Sequence, residues 1–224
     1  MFLLLASLAG GCATPAMRVP GVQVVPSRVV ALPTDGVVWE WDFSGNRVVS
    51  EQHTVEAVRN VDNSIDRRLR PLGGRSVAAE TLDGLPSVSL FHDWATRMLK
   101  EIMAERLGRA RSTHESVAEW RYSKELTTWR DELKADFVLV SMFMDGRNTA
   151  GRSLAVMFAG GALAARRAIT CVVRLQDGRV VWCNLIDFQH PLDEPGGAQL
   201  FVHTLLDDLL GSPFNSSTKA GDDP

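Results

Sequence analysis

The apolar positions of this chain change period from one stretch to the next, and those changes outline an alternation of strands and helices. Residues 28–33, RVVALP, form a short β-branched run suited to a strand buried on both faces. Residues 37–43, VVWEWDF, alternate strictly. Val37, Trp39, Trp41 and Phe43 lie on one side and Val38, Glu40 and Asp42 on the other, which predicts a half-exposed strand or an extended edge. The period then becomes helical over residues 51–72, where Val55, Val58, Val61, Ile65, Leu69 and Leu72 make one stripe that Gly73-Gly74 closes. A weak strand is expected over 75–79. A second helix over 85–107 carries Phe91, Trp94, Met98, Leu99, Ile102, Met103 and Leu107. A third over 116–133 carries Tyr122, Leu126, Trp129 and Leu133.

The organising stretch is 135–188. Phe137 to Phe143 is almost continuously apolar, as an interior strand covered on both faces should be. Asp177-Gly178 between two apolar runs predicts a hairpin. A two-residue turn there pairs Leu175 with Val180 and Val173 with Trp182, puts Cys171 and Cys183 on opposite faces, and leaves two free buried thiols, the expectation favoured here. A three-residue loop with a bulge would instead set the two cysteines opposite each other, where an oxidising compartment would bond them. Residues 153–165, SLAVMFAGGALAA, are too short to span a bilayer as a helix. They are expected to form a short helix packed on the sheet. The alternative is a partner- or membrane-facing patch through Leu154, Met157 and Phe158, with Arg166-Arg167 at its border, and Trp39 and Trp41 are further candidates for such a face. A last helix opens at Leu192-Asp193-Glu194-Pro195 and turns Ala198, Phe201, Val202, Leu205, Leu209 and Leu210 inward. The sum is an α/β (α+β) fold: a single domain with a mixed central sheet, a C-terminal β-hairpin and about four flanking helices.

Composition narrows the function more than the fold. The chain has 224 residues, 45% of them hydrophobic, enough for one sizeable domain. A net charge of −3 offers no electrostatic footprint for nucleic acid. The strongest local signal is at the start, where the apolar residues 1–11 end in Leu8-Ala9-Gly10-Gly11-Cys12. Small residues before a cysteine fit the narrow extended site of a lipoprotein signal peptidase, and the Cys12 sulfur would receive the diacylglycerol, so the segment resembles a bacterial lipobox. No Lys or Arg precedes the apolar run, so the expected start of translation lies a few basic residues upstream. Ala13, where Asp would retain a lipoprotein at the inner membrane, implies by the same resemblance the periplasmic face of the outer membrane. The expected organisation is a signal peptide at 1–11, a lipidated Cys12 and tether over 12–27, the α/β domain over 28–210, and a disordered polar tail at 211–224.

Four segments, RVVALPTDGVVWEWDF, ADFVLVSMFMDGRNTAGR, VVRLQDGRVVWCNLI and EPGGAQLFVHTLLDDLL, resemble a group of uncharacterised proteobacterial lipoproteins. More distantly, the strand–helix order that ends in a DG hairpin and a closing helix is similar to the TolB N-terminal domain. It is similar too to the periplasmic domains of the curli-secretion lipoprotein and of penicillin-binding-protein activators. The resemblance covers most of 28–210 through structural motifs, and it brings no catalytic residues.

Chemistry is sparse. His53, His92, His114, His190 and His203 show no HExxH motif or tight His/Cys/carboxylate spacing, so no metal site and no cofactor is expected. The Gly-rich segment at 146–153 lacks a phosphate-loop lysine, and no Gly-x-Ser-x-Gly elbow occurs. The first expectation is therefore a non-enzymatic, lipid-anchored interaction or assembly factor of the cell envelope, with the membrane and an envelope protein as partners. The second is a periplasmic ligand-binding module for glycan or a small molecule, using exposed aromatics such as Trp39, Trp41 and Trp120. An apolar cleft with converging polar groups would favour it. The third is an enzyme whose site is assembled from distant residues.

Overall fold

A computed structural model describes residues 16–42, 44, 46–106, 119–122, 126–148 and 165–210. The fold is built outward from β6 (Phe137–Asn148), a strand of 12 residues. Its side chains alternate between two cores. Val138, Val140 and Met142 point to one, while Phe137, Leu139 and Phe143 point to the other. That is why an unbroken apolar run, rather than an alternating one, marks it as interior.

One edge of β6 is shared by two strands. β2 (Val29–Ala31) pairs in parallel with its first part and β3 (Asp35–Trp41) with the remainder, so the chain steps sideways at residues 32–34 without leaving the edge. β4 (Arg47–Val49) folds back antiparallel on β3, and β5 (Arg75–Ser76) joins β2 in parallel. The opposite edge carries the antiparallel hairpin of β7 (Arg166–Arg174) and β8 (Val180–Asp187), and β1 (Met17–Arg18) lies on β8. The eight strands make one mixed open sheet. Helices α1 (Glu51–Leu69) and α5 (Pro195–Leu210) cover one face. α2 (Ala79–Leu82), α3 (Val88–Arg106) and α4 (Leu126–Leu133) lie toward the other. The α/β single-domain expectation is met, with five α-helices among the described residues. None of these is long and apolar enough to cross a membrane.

Several local expectations are corrected. β3 is not an edge: it runs between β6 and β4, and adjacent residues Val38 and Trp39 are both buried. The inner face of α1 is rotated from the expected stripe. Ala57, Val61, Ile65 and Leu69 are buried, whereas Val55 is 66% exposed. Asn60 takes part in that face because its side-chain amide donates to the backbone oxygens of Leu192, at 3.3 Å, and Asp193, at 2.7 Å. A polar residue is admitted to a core face when its hydrogen bonds are satisfied there.

The expected third helix is only α4. Residues 119–122 run instead along the hairpin, where Val180 N–H donates to Trp120 O at 3.1 Å and Tyr122 N–H to Gly178 O at 2.9 Å. The open backbone groups of the hairpin edge outweigh helical propensity there, since buried N–H and C=O groups left unpaired are costly. The segment read as tether is also partly built in, because Met17 pairs with Cys183 and Arg18 with Trp182.

The hairpin is the largest correction. Its loop is four residues long, 175–178, with Arg174 N–H donating to Arg179 O at 2.8 Å and Gly178 N–H to Arg174 O at 2.8 Å. Gly178 holds φ +68, the left-handed conformation that favours glycine. A register shift between Val172 and Val173 then admits one extra residue, so that Val181 and the next residue, Trp182, both enter the α1/α5 core. Loop and bulge together bring Cys171 opposite Cys183, and the two form a buried disulfide with Cα atoms 4.1 Å apart. The expectation of two free thiols fails because a hairpin's register depends on single residues that hydrophobic alternation does not count.

Candidate functional site

Two places gather polar side chains against the sheet, and they differ in how completely those groups are satisfied. The first surrounds Asp145 on β6, whose side chain is 0% exposed. Arg147 Nη2 donates to Asp145 Oδ2 at 2.6 Å, and Arg166 Nε lies 2.8 Å from Asp145 Oδ1. Arg147 also grips Asp193 with both arms, Nη1 to Oδ2 at 3.0 Å and Nη2 to Oδ1 at 2.7 Å. His53 Nδ1 of α1 is 2.8 Å from Asp193 Oδ2. Burial works against the charge on Asp193, but the Arg147 hydrogen bonds prevail and hold its carboxyl below the usual carboxylate range. The cluster therefore ties the β8–α5 connection to both β6 and α1.

Within it, His53, Glu56 and Asp193 bring potential ligand atoms within 4.8 Å of one another. The residue types suit a divalent cation. However, the guanidinium of Arg147 already occupies both oxygens of Asp193, and a metal there would face a positive charge at close range. The arrangement is better suited to a structural lock. Its sequence signal was the three-residue spacing of His53 and Glu56; Asp193 reaches them only through the tertiary fold.

The second place is a cleft of about 300 Å³ between α2, α3 and the step from β2 to β3. Phe91, Leu99, Trp129 and Val140 supply apolar wall, and Leu32 to Asp35 supply the sheet side. Asp35 is half-buried, and its carboxylate accepts one long hydrogen bond, from Thr96 Oγ1 at 3.4 Å. Asp83 and His92 stand exposed at the cleft, and no Lys or Arg lines it among the described residues. Beside it, Thr34 N–H donates to Asp62 Oδ1 at 2.9 Å, and burial pushes the Asp62 carboxyl up despite that bond. The size falls at the small end of small-molecule sites.

The residues singled out from sequence fare unevenly. Cys12, Leu154, Met157 and Phe158 lie outside the described residues. Trp39 is 6% exposed and stacks under the Arg47 guanidinium, 3.8 Å from its ring centre. Trp120 is 7% exposed and Trp41 half-buried. Trp39 and Trp120 therefore do not form the exposed aromatic platform expected of them. Exposed apolar surface appears instead at Val48 and Val49 on β4 and at Val55 on α1.

The chain matches no family model, and no curated protein matches it. Solved structures do resemble it. The PelC dodecamer from Paraburkholderia phytofirmans shares 10% identity over 88% of this chain and 98% of that one, with a TM-score of 0.40. Lipoprotein GNA1162 from Neisseria meningitidis shares 11% over 83% and 97%, at 0.34. The LpoB C-terminal domain from Salmonella enterica shares 13% over 76% and 87%, at 0.30. These are distant likenesses, and none of them assigns this chain a partner or a reaction.

Proposed function

We propose that this protein is a lipid-anchored envelope protein of the periplasm that acts by binding a protein partner rather than by catalysis. The observation that carries the compartment is the disulfide between Cys171 and Cys183, buried inside the sheet. Lasting disulfides belong to oxidising compartments, and the lipobox ending at Cys12 supplies a route there and an anchor. Ala13 favours the outer membrane, as expected of its position after the cysteine. For contact with a partner the fold offers the outer side of β4, which pairs only with β3 among the described residues and exposes Val48 and Val49.

The test is expression of the full chain and of Cys12→Ala in a Gram-negative host, with palmitate labelling, fractionation and thiol trapping. Label in the outer-membrane fraction that is lost in the variant, with Cys171 and Cys183 protected from alkylation, supports the proposal. An unlabelled, uncleaved protein in which Cys171 and Cys183 both react refutes it. A second reading, a ligand-binding module, is favoured by one observation, the cleft beneath α3.

A further inference from the structure

We propose that the cleft between α3 and the β2–β3 step binds a small organic cation, an ammonium carried on an aromatic or branched aliphatic body. This rests on the ligand-binding reading and names the chemistry of its ligand. The shape comes from the apolar wall of Phe91, Leu99, Trp129 and Val140 around about 300 Å³. The charge preference comes from Asp35. The half-buried or buried carboxylates of Asp136, Asp145, Asp177 and Asp193 each rest against an arginine. Asp35 has no cationic partner among the described residues, and the Thr96 hydroxyl at 3.4 Å is its one side-chain contact.

Each class of occupant meets that carboxylate differently. An uncharged apolar ligand would strip water from Asp35 and return nothing, which is costly. An anion would face Asp35 and also Asp83 at the rim, with no Lys or Arg among the described lining residues to offset them. An ammonium would replace the lost water with a charge-assisted hydrogen bond, the stronger kind, while its body fills the apolar wall. The half-buried Leu32, Pro33 and Val88 give that body apolar surface to pack on, with the buried rings of Phe91 and Trp129 behind it.

The test is equilibrium dialysis of the purified full chain against three probes with a common phenyl-ethyl body: phenethylamine, 2-phenylethanol and 3-phenylpropionate. The expected result is saturable one-site binding of phenethylamine, at least tenfold tighter than that of the alcohol, with the acid weakest. In Asp35→Asn, which removes charge and disturbs only the long contact to Thr96, the amine should fall to the affinity of the alcohol. Amine binding that is equal to the alcohol, or unchanged in Asp35→Asn, overturns the cation assignment while leaving the ligand-binding reading intact. Absence of saturable binding for all three probes overturns both.

Discussion

Asp145 and Asp35 sit on paired strands only a few residues apart, since Asp35 faces Met142 and Asp145 faces Val38 across the β3–β6 ladder. Their surroundings are opposite. Asp145 is closed off and held by Arg147 and Arg166, whereas Asp35 borders a cleft and has a single long contact to a hydroxyl. A buried carboxylate enclosed by two guanidinium groups has its charge answered inside the fold, and its role is to hold elements together. One left open beside apolar space retains a charge that something else can answer.

The sharpest way to break the comparison is to delete each carboxylate. Asp145→Ala would leave two guanidinium groups with a lost partner in a buried setting, and the expected cost is about 3–5 kcal/mol in urea denaturation. Replacing Cys171 and Cys183 with serine tests the frame that holds both sites. That pair closes a sequence separation of 12, and its loss should cost about 2–4 kcal/mol.

Acid sharpens the contrast within the lock. Arg147 holds Asp193 below the usual carboxylate range, so the folded-state pKa is lower than the unfolded one. The stability it contributes is full above the unfolded value, about pH 4, and is lost as pH falls through the folded value. The difference in denaturation midpoint between the parent and Asp193→Asn should accordingly shrink as pH falls from about 5 toward 2. The smallest effect is expected at the cleft, where Asp35→Asn should change stability by no more than about 0.5 kcal/mol. A large loss there would mean that Asp35 is a structural group like Asp145, and the distinction between the two sites would collapse.

The hydrophobic pattern located β6, the hairpin, the long helices and the closing helix, because each repeats a period that its own backbone geometry imposes. The candidate sites were scarcely legible. Asp35 and Asp193 were visible only as residues near the ends of elements; the cleft around one joins segments more than a hundred residues apart, and the arginine clamp on the other joins residues 46 apart. The same holds for Trp39, which alternation assigned to an open face and which β4 and Arg47 cover.

What the sequence by itself determined is the order and type of most elements and the single-domain α/β class, since these follow from local periodicity and chain length. Only the tertiary structure decided which face of α1 turned inward, that residues 119–122 would extend along the hairpin, and that Cys171 would meet Cys183. Those outcomes depend on satisfying the backbone and polar groups of distant segments at once. A one-residue bulge or a single buried amide, such as Asn60, changes the answer without altering the pattern of apolar positions.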